Sequence, residues 1–261
     1  MFLVVWARYA GQMLVVTPFA WHRAGLGFWR TRRPALQLLR SALLLCATAA
    51  FFGALRFLPL AEASAITFLA PIFVVLLSGP LLGERPSAAR WTASIGGFIG
   101  ILLIVRPGSA VFHPGALLLL LAAICNALYN ILTRKLIDDG VHTTLFYSAF
   151  VGTLLLSLAL PWAASESLPG WRESALFLLL GLFAGLGHWL VISASMMAPA
   201  SLLTPFTYLQ MIWATLYGYA VFGQLPDRAS ALGMAVIVAS GVFLALQERR
   251  GARNAVRSAR R

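Results

Sequence analysis

TFLAPIFVVLLSGPLLGERP at residues 67–86 and TYLQMIWATLYGYAVFGQLP at residues 207–226 decide the fold, because the second stretch is a diverged copy of the first. A shift of 140 places pairs Thr67 with Thr207, Leu69 with Leu209, Ile72 with Ile212, Leu76 with Leu216, Gly83 with Gly223 and Pro86 with Pro226. Self-similarity at so long a period marks a duplicated half-chain rather than a solenoid unit. An odd number of intervening membrane spans makes the two copies antiparallel, the arrangement with which many secondary transporters build a substrate site on a pseudo-two-fold axis.

The apolar character of the two copies extends along the whole chain. The sequence is 60% hydrophobic, and only 28 of its 261 residues carry charge, with a mean hydropathy of +0.84. That is too little polar surface to cover a soluble globule of this size, so the fold class is an all-α polytopic membrane protein. Apolar stretches at 2–20, 38–58, 62–82, 91–105, 115–133, 143–162, 174–194, 201–222 and 229–246 predict about nine transmembrane helices in two inverted repeats. The first repeat is read as 1–107, the second as 114–247, and 248–261 as a basic tail.

A formal net charge of +12 would suggest nucleic acid in a soluble protein, but here the basic residues sort by loop. Fifteen fall on one side: Arg23, Arg30, Arg32, Arg33 and Arg40, then Arg85 and Arg90, then Arg134 and Lys135, and six in the tail. Arg106, Arg172 and Arg228 fall on the other. The positive-inside rule then predicts an inner (plasma) membrane protein with its N-terminus outside and its tail cytoplasmic, solvated, partly disordered and close to anionic lipid. No nucleic-acid partner is expected. Cys46 and Cys125 fall inside predicted spans and read as packing residues.

Pairing the spans exposes an asymmetry. Gly11, Leu14 and Trp21 match Gly152, Leu155 and Trp162 at an offset of 141, and the third span matches the eighth. By order the second pairs with the seventh and the fourth with the ninth, which leaves the fifth alone. The expectation is a ten-helix design whose first helix is missing from this sequence; an authentic nine-helix protein is the alternative the residues leave open.

The run Ala54 to Ile66, followed by Phe68-Leu69-Ala70-Pro71-Ile72-Phe73 and Leu82-Gly83-Glu84-Arg85, resembles the EamA-type branch of the drug/metabolite transporter superfamily. Gly97 to Gly108 and Pro205-Phe206-Thr207-Tyr208-Leu209-Gln210 carry the same resemblance, which covers nearly the whole chain. It implies ten helices in two inverted five-helix repeats and the movement of small organic solutes such as amino acids, nucleotide-like metabolites or drugs. The absent first helix is the departure from that pattern.

The residue types exclude an enzyme. His22, His113, His142 and His188 form no HExxH or clustered ligand set, and neither a nucleophile elbow nor a Walker loop is present, so no metal or cofactor is expected. Buried acids are nearly missing from the spans, which suits a neutral, zwitterionic or anionic solute better than a cation. His188 is the one deep titratable group, read either as a packing residue or as a proton relay, with Trp189 beside it. Arg8 within the first span reads as an anion-attracting vestibule group or as a side chain snorkelling to the outer interface.

The third and eighth spans are the pair expected to line the cavity. Ser64, Thr67, Pro71 and Ser78 recur at spacings that place them on one face of a continuous helix, and at an offset of 140 they become Thr204, Thr207, Met211 and Gly218. Tyr208 adds a hydroxyl with an aromatic face. Asn126 and Asn130, one turn apart on the fifth span, read as solute ligands or as interhelical ties. Glu84 and Gln224 end inverted equivalent spans and read as gate residues or as ordinary helix ends. The expected function is secondary transport of a small organic metabolite by alternating access, with membrane lipid and a homodimer as further expected contacts. A lipid scramblase or flippase, or a non-transporting membrane subunit or remnant, is the alternative.

Overall fold

The computed structural model describes residues 2–82, 87–106, 113–163, 170–197 and 209–259. They form α1 (Phe2–Ala24), α2 (Pro34–Ala54), α3 (Leu60–Thr67), α4 (Ala70–Leu82), α5 (Ala88–Val105), α6 (Gly115–Lys135), α7 (Gly140–Ala163), α8 (Trp171–Met197), α9 (Leu209–Phe222) and α10 (Arg228–Ala259). Short 3-10 turns stand at Gly25–Gly27 and Ile137–Asp139, and no strand occurs among the described residues. Among the described residues, six stretches are long and apolar enough to cross a membrane: Phe2–Arg23, Pro34–Ala54, Gly115–Lys135, Gly140–Pro161, Trp171–Ala194 and Arg228–Gln247. Shorter apolar runs, Leu60–Val74, Trp91–Val105 and Ile212–Phe222, fill the places of the third, fourth and eighth predicted spans. Helices dominate because lipid offers backbone groups no hydrogen bonds, so each span must satisfy its own. Leu176, Phe183 and Leu190, seven residues apart on α8, are 63%, 66% and 53% exposed, an apolar stripe suited to lipid rather than to water.

Three expectations are corrected. The third span is not one helix. It breaks at Phe68 and Leu69, where the Phe68 N–H reaches the carbonyls of both Ser64 and Ala65 and the Leu69 N–H tightens onto Ile66 at 3.1 Å. Pro71, the second residue of α4, has no N–H for the Thr67 carbonyl and disfavours helix in the residue before it. Ser64 and Thr67 therefore belong to α3, and Pro71 and Ser78 to α4, so they do not share one continuous helix face. The tail, expected to be partly disordered, instead continues α10 as helix to Ala259. Finally, α2 starts at Pro34, a residue suited to a first helical position, so Arg40 lies inside the helix and not in the loop before it.

The chain groups into two compact units, Met1–Ala49 with Leu128–Met196, and Ala50–Ala127 with Met197–Arg261. In the first, α1 and α8 meet through glycines. A Cβ on Gly11 would stand 2.9 Å from the Gly181 Cα, so backbone lies on backbone. Against α7, Gly152 leaves the space that the Tyr9 ring fills, since a Cβ there would lie 2.5 Å from the ring's Cγ. Trp6 Nε1 donates to Ser157 Oγ at 2.9 Å across the same pair. Val16, Leu145 and Ile192 form the apolar core, with Val141 and Trp189 packed on it.

The second unit is built on small residues. Ala54, Ala61, Ala63, Ala65, Phe68 and Leu69 pack with Ile101, Ile104, Met234 and Ile237. Helices α5 and α10 run antiparallel, with Ala93 on Leu244 at one end and Gly100 against Gly233 and Ile237 further along, where a Gly100 Cβ would approach the Gly233 carbonyl to 2.7 Å. Gly96 sits against Ser240. An offset of 140 turns that contact into Gly100 against Val236, one residue from the contact Gly100 makes.

Candidate functional site

The chemistry of the first unit gathers on polar residues that its apolar helices carry inward. Arg8 on α1 is half-buried and turns its guanidinium toward α8 and α2: Nη2 donates to His188 Nε2 at 3.1 Å and Nη1 to Thr48 Oγ1 at 3.4 Å. Since Nε2 accepts, the His188 ring is neutral and carries its proton on Nδ1. Thr48 donates its only proton to the Leu44 carbonyl at 2.8 Å, so the Tyr9 hydroxyl, 3.0 Å away, donates to Thr48. Thr48 thus presents only lone pairs to Arg8 and Tyr9. The Tyr9 ring also lies 5.1 Å from the guanidinium carbon.

Arg40 is fully buried, and its cage follows the same rule. Nε donates to Thr133 Oγ1 at 2.6 Å, Nη1 to Ser148 Oγ at 2.8 Å and to the Thr144 carbonyl at 3.2 Å, and Nη2 to the Tyr129 hydroxyl at 2.7 Å. Thr133 spends its own proton on the Tyr129 carbonyl and Ser148 spends its on the Thr144 carbonyl. Back-bonding to the preceding turn, one way a Ser or Thr satisfies itself inside a helix, here aims the remaining lone pairs at the cation. The guanidinium carbon sits 4.3 Å from the Tyr129 ring centroid. Four of five N–H groups are used, and no described carboxylate pairs with either Arg8 or Arg40. The two clusters share α2, on which Arg40 and Thr48 stand about two turns apart. One turn beyond Arg8, Gln12 is fully buried with both amide atoms unpartnered, and Ser41 Oγ is in the same condition.

Outside the spans, two carboxylates are held ionised. Burial pushes the Asp139 carboxyl up, but Thr31 at 2.5 Å, Gln37 at 3.0 Å, the Arg32 N–H and the Arg33 charge outweigh it and hold it below the usual range. The Arg106 guanidinium and the Ser230 N–H hold Asp227 at about 2. Asp227 caps α10, accepting from the Ser230 N–H at 2.8 Å, while Ser230 Oγ donates to Glu62 at 3.0 Å.

Of the residues singled out from sequence, Arg8 and His188 are brought together, and Trp189 packs its ring edge on Phe19 at 6.0 Å. Ser64 is buried in α3, and the Thr67 hydroxyl donates back to the Ser64 carbonyl at 2.7 Å. Asn126 is half-buried, whereas Asn130 is exposed. Gln224 is exposed and follows Gly223, whose φ of 65° and N–H bond to the Tyr219 carbonyl at 2.9 Å end α9 in a left-handed cap. Met211 lies in α9 without a described side chain, and Glu84, Thr204, Thr207 and Tyr208 lie outside the described residues. Tyr9, Gln12, Arg40, Thr48, Tyr129, Thr133 and Ser148 were missed as functional candidates. The charge pattern alone places Arg40 in a loop; the apolar pair Leu38-Leu39 immediately before it is the sequence signal that it lies inside a span.

Residues 1–106 and 113–246 match the EamA-like transporter family. The chain is 29% identical to a protein of Rickettsia bellii (strain RML369-C) named S-adenosylmethionine uptake transporter, over 95% of this chain and 85% of the relative. It is 30% identical to proteins named riboflavin transporter from Rhizobium johnstonii, over 93% of this chain and 80% of the relative, and from Vibrio cholerae serotype O1, over 96% and 84%. A solved crystal structure superposes with a TM-score of 0.70 at 22% identity, covering 95% of this chain and 88% of the other, and so shares its fold.

Proposed function

The chain belongs to the EamA-like transporter family and is a small-metabolite transporter, not an enzyme, and we propose that it works by alternating access between two inverted repeats, residues 1–107 and 114–247. The observation that carries the transport reading is the whole-length likeness to carriers named for S-adenosylmethionine and riboflavin. A polar cluster of Arg8, Tyr9, Thr48 and His188 inside apolar helices supports it, because charged groups at membrane depth are expensive and mark solute paths. The antiparallel glycine seam of α5 and α10, the repeat-related fourth and ninth spans, supports the inverted design.

Under this reading Ser64, Thr67, Pro71, Asn126, Asn130, His188, Trp189, Thr204, Thr207, Tyr208 and Met211 contribute to the solute path, and Arg8, Glu84 and Gln224 to its mouths. The break between α3 and α4 gives Pro71 a concrete part, since interrupted spans expose backbone carbonyls where they line a cavity. The protein sits in the inner membrane with its tail in the cytoplasm, a topology favoured by fourteen cytoplasmic basic residues even after Arg40 is removed from the tally. Membrane lipid fits the apolar groove that Leu14, Val15, Leu178 and Leu182 line between α1 and α8. A homodimer is the proposed assembly.

Proteoliposomes carrying the purified chain test transport directly. Uptake of S-adenosylmethionine, riboflavin or another member of a metabolite panel above protein-free vesicles is expected. Absence of uptake across the panel, with the chain correctly inserted, would overturn the reading.

A further inference from the structure

We propose that the seam between α1 and α8 binds a carboxylate, or a similar small anionic group, of the transported solute, with the Arg8 guanidinium supplying charge and the Gln12 amide supplying direction; this rests on the transport reading above. Arg8 donates to His188 Nε2 and, through a long contact, to Thr48, its guanidinium lies against the Tyr9 ring, and no described carboxylate pairs with it. Its charge has no described counter-ion. A guanidinium fork is matched to the two oxygens of a carboxylate.

Gln12 is the second, independent observation. It follows Arg8 by one helical turn, is fully buried, and leaves both its nitrogen and its oxygen without a partner. A buried amide in that state is costly and needs a reason. It faces the same helix as Arg8: a Cβ at Gly185 would lie 3.6 Å from Gln12 Cγ, and His188, which holds Arg8, is three residues further along α8. The nearby Arg40 adds positive potential while its own donors are mostly spent on Thr133, Thr144, Ser148 and Tyr129, so it attracts an anion without competing for its oxygens. The Gln12 nitrogen donates to a bound carboxylate, and its oxygen takes a donor such as the α-amino group beside one. An amino-acid-like head group satisfies both.

Paired solutes differing in one anionic group test this in proteoliposomes: S-adenosylmethionine against its decarboxylated form, and riboflavin 5′-phosphate against riboflavin. Wild type is expected to favour the anionic member of at least one pair by about tenfold or more, the size of a charge-assisted hydrogen bond. Which pair shows the preference tells carboxylate from phosphate. Arg8→Gln is expected to erase that preference, lowering uptake of the anionic member at least about tenfold more than uptake of its counterpart, and Arg8→Lys to keep part of it. Should Arg8→Gln fail to insert, Gln12→Leu, which leaves every charge in place, is expected to lower the apparent affinity for the anionic member alone. Equal uptake of both members by wild type, or an equal loss for both in the variants, overturns the inference while leaving transport intact. Uptake of neither member of either pair overturns the inference, and transport falls with it only if the rest of the metabolite panel is not taken up either.

Discussion

Arg40 spends its charge on neutral oxygens. Four hydrogen bonds and the Tyr129 ring hold it, and each hydroxyl that accepts from it, apart from Tyr129, is fixed by a bond to its own helix. Lysine has the charge without the fork, so Arg40→Lys is expected to lower thermal stability in detergent by roughly 2–4 kcal/mol through lost hydrogen bonds and stranded hydroxyls. An unchanged melting temperature would refute the cage. Gly152 makes a similar demand by absence. Gly152→Leu should displace the Tyr9 ring, free Thr48 and Arg8 from their geometry, and reduce uptake more than expression, measured as rate per inserted molecule. The sequence showed Arg8 and His188 as oddities within apolar spans, but it could not show that they meet, because 180 positions separate them. Arg40 stayed hidden for a different reason: a basic residue near a span end reads as topology until the helix start is known.

At the scale of elements, helix existence was legible because a run of about 20 apolar residues has few other uses. The interruption between α3 and α4 was less so. Pro71 announced a lost hydrogen bond, yet prolines at 18, 80 and 161 lie within helices without ending them. What differs at Pro71 is the bifurcated Phe68 bond and the tight turn at Leu69 that precede it. Pro71→Ala restores a donor for the Thr67 carbonyl; it is expected to leave stability equal or better by up to about 1 kcal/mol and to slow uptake, a split that thermal melting and transport rates would reveal together. Between elements, Asp139 ties the α1–α2 loop and the base of α2 through Thr31 and Gln37. Its folded carboxyl lies below the usual range, so its contribution is complete above that range and is lost as pH falls through the folded value. Asp139→Asn should therefore melt earlier than wild type at pH 7, by roughly 1–2 kcal/mol for the bonds removed, and the gap should close in acid.

For the molecule as a whole, the 140-residue offset carried more than any single residue, since it marked the duplicated halves on which the proposed inverted arrangement rests. What it could not give is the grouping of the chain, in which segments from both halves combine into each compact unit. That grouping depends on which small residues allow backbones to touch, Gly11 with Gly181 and Gly100 with Gly233, and such pairs have no signature beyond composition. The same long-range wiring bears on how the protein is made. Arg40 finds its acceptors 89 to 108 positions later in the chain, and Arg8 finds His188 after 180. During synthesis α2 must leave the ribosome with an unmatched charge, and at about 5–20 residues per second its acceptors arrive several seconds afterwards. A chain ending at residue 106 should thus lodge α2 in the bilayer less efficiently than the full chain does, with Arg40→Leu repairing the short form, as a glycosylation-tag insertion assay would read. Mutations in α6 to α8 that remove those acceptors are therefore expected to impair insertion of helices made long before them.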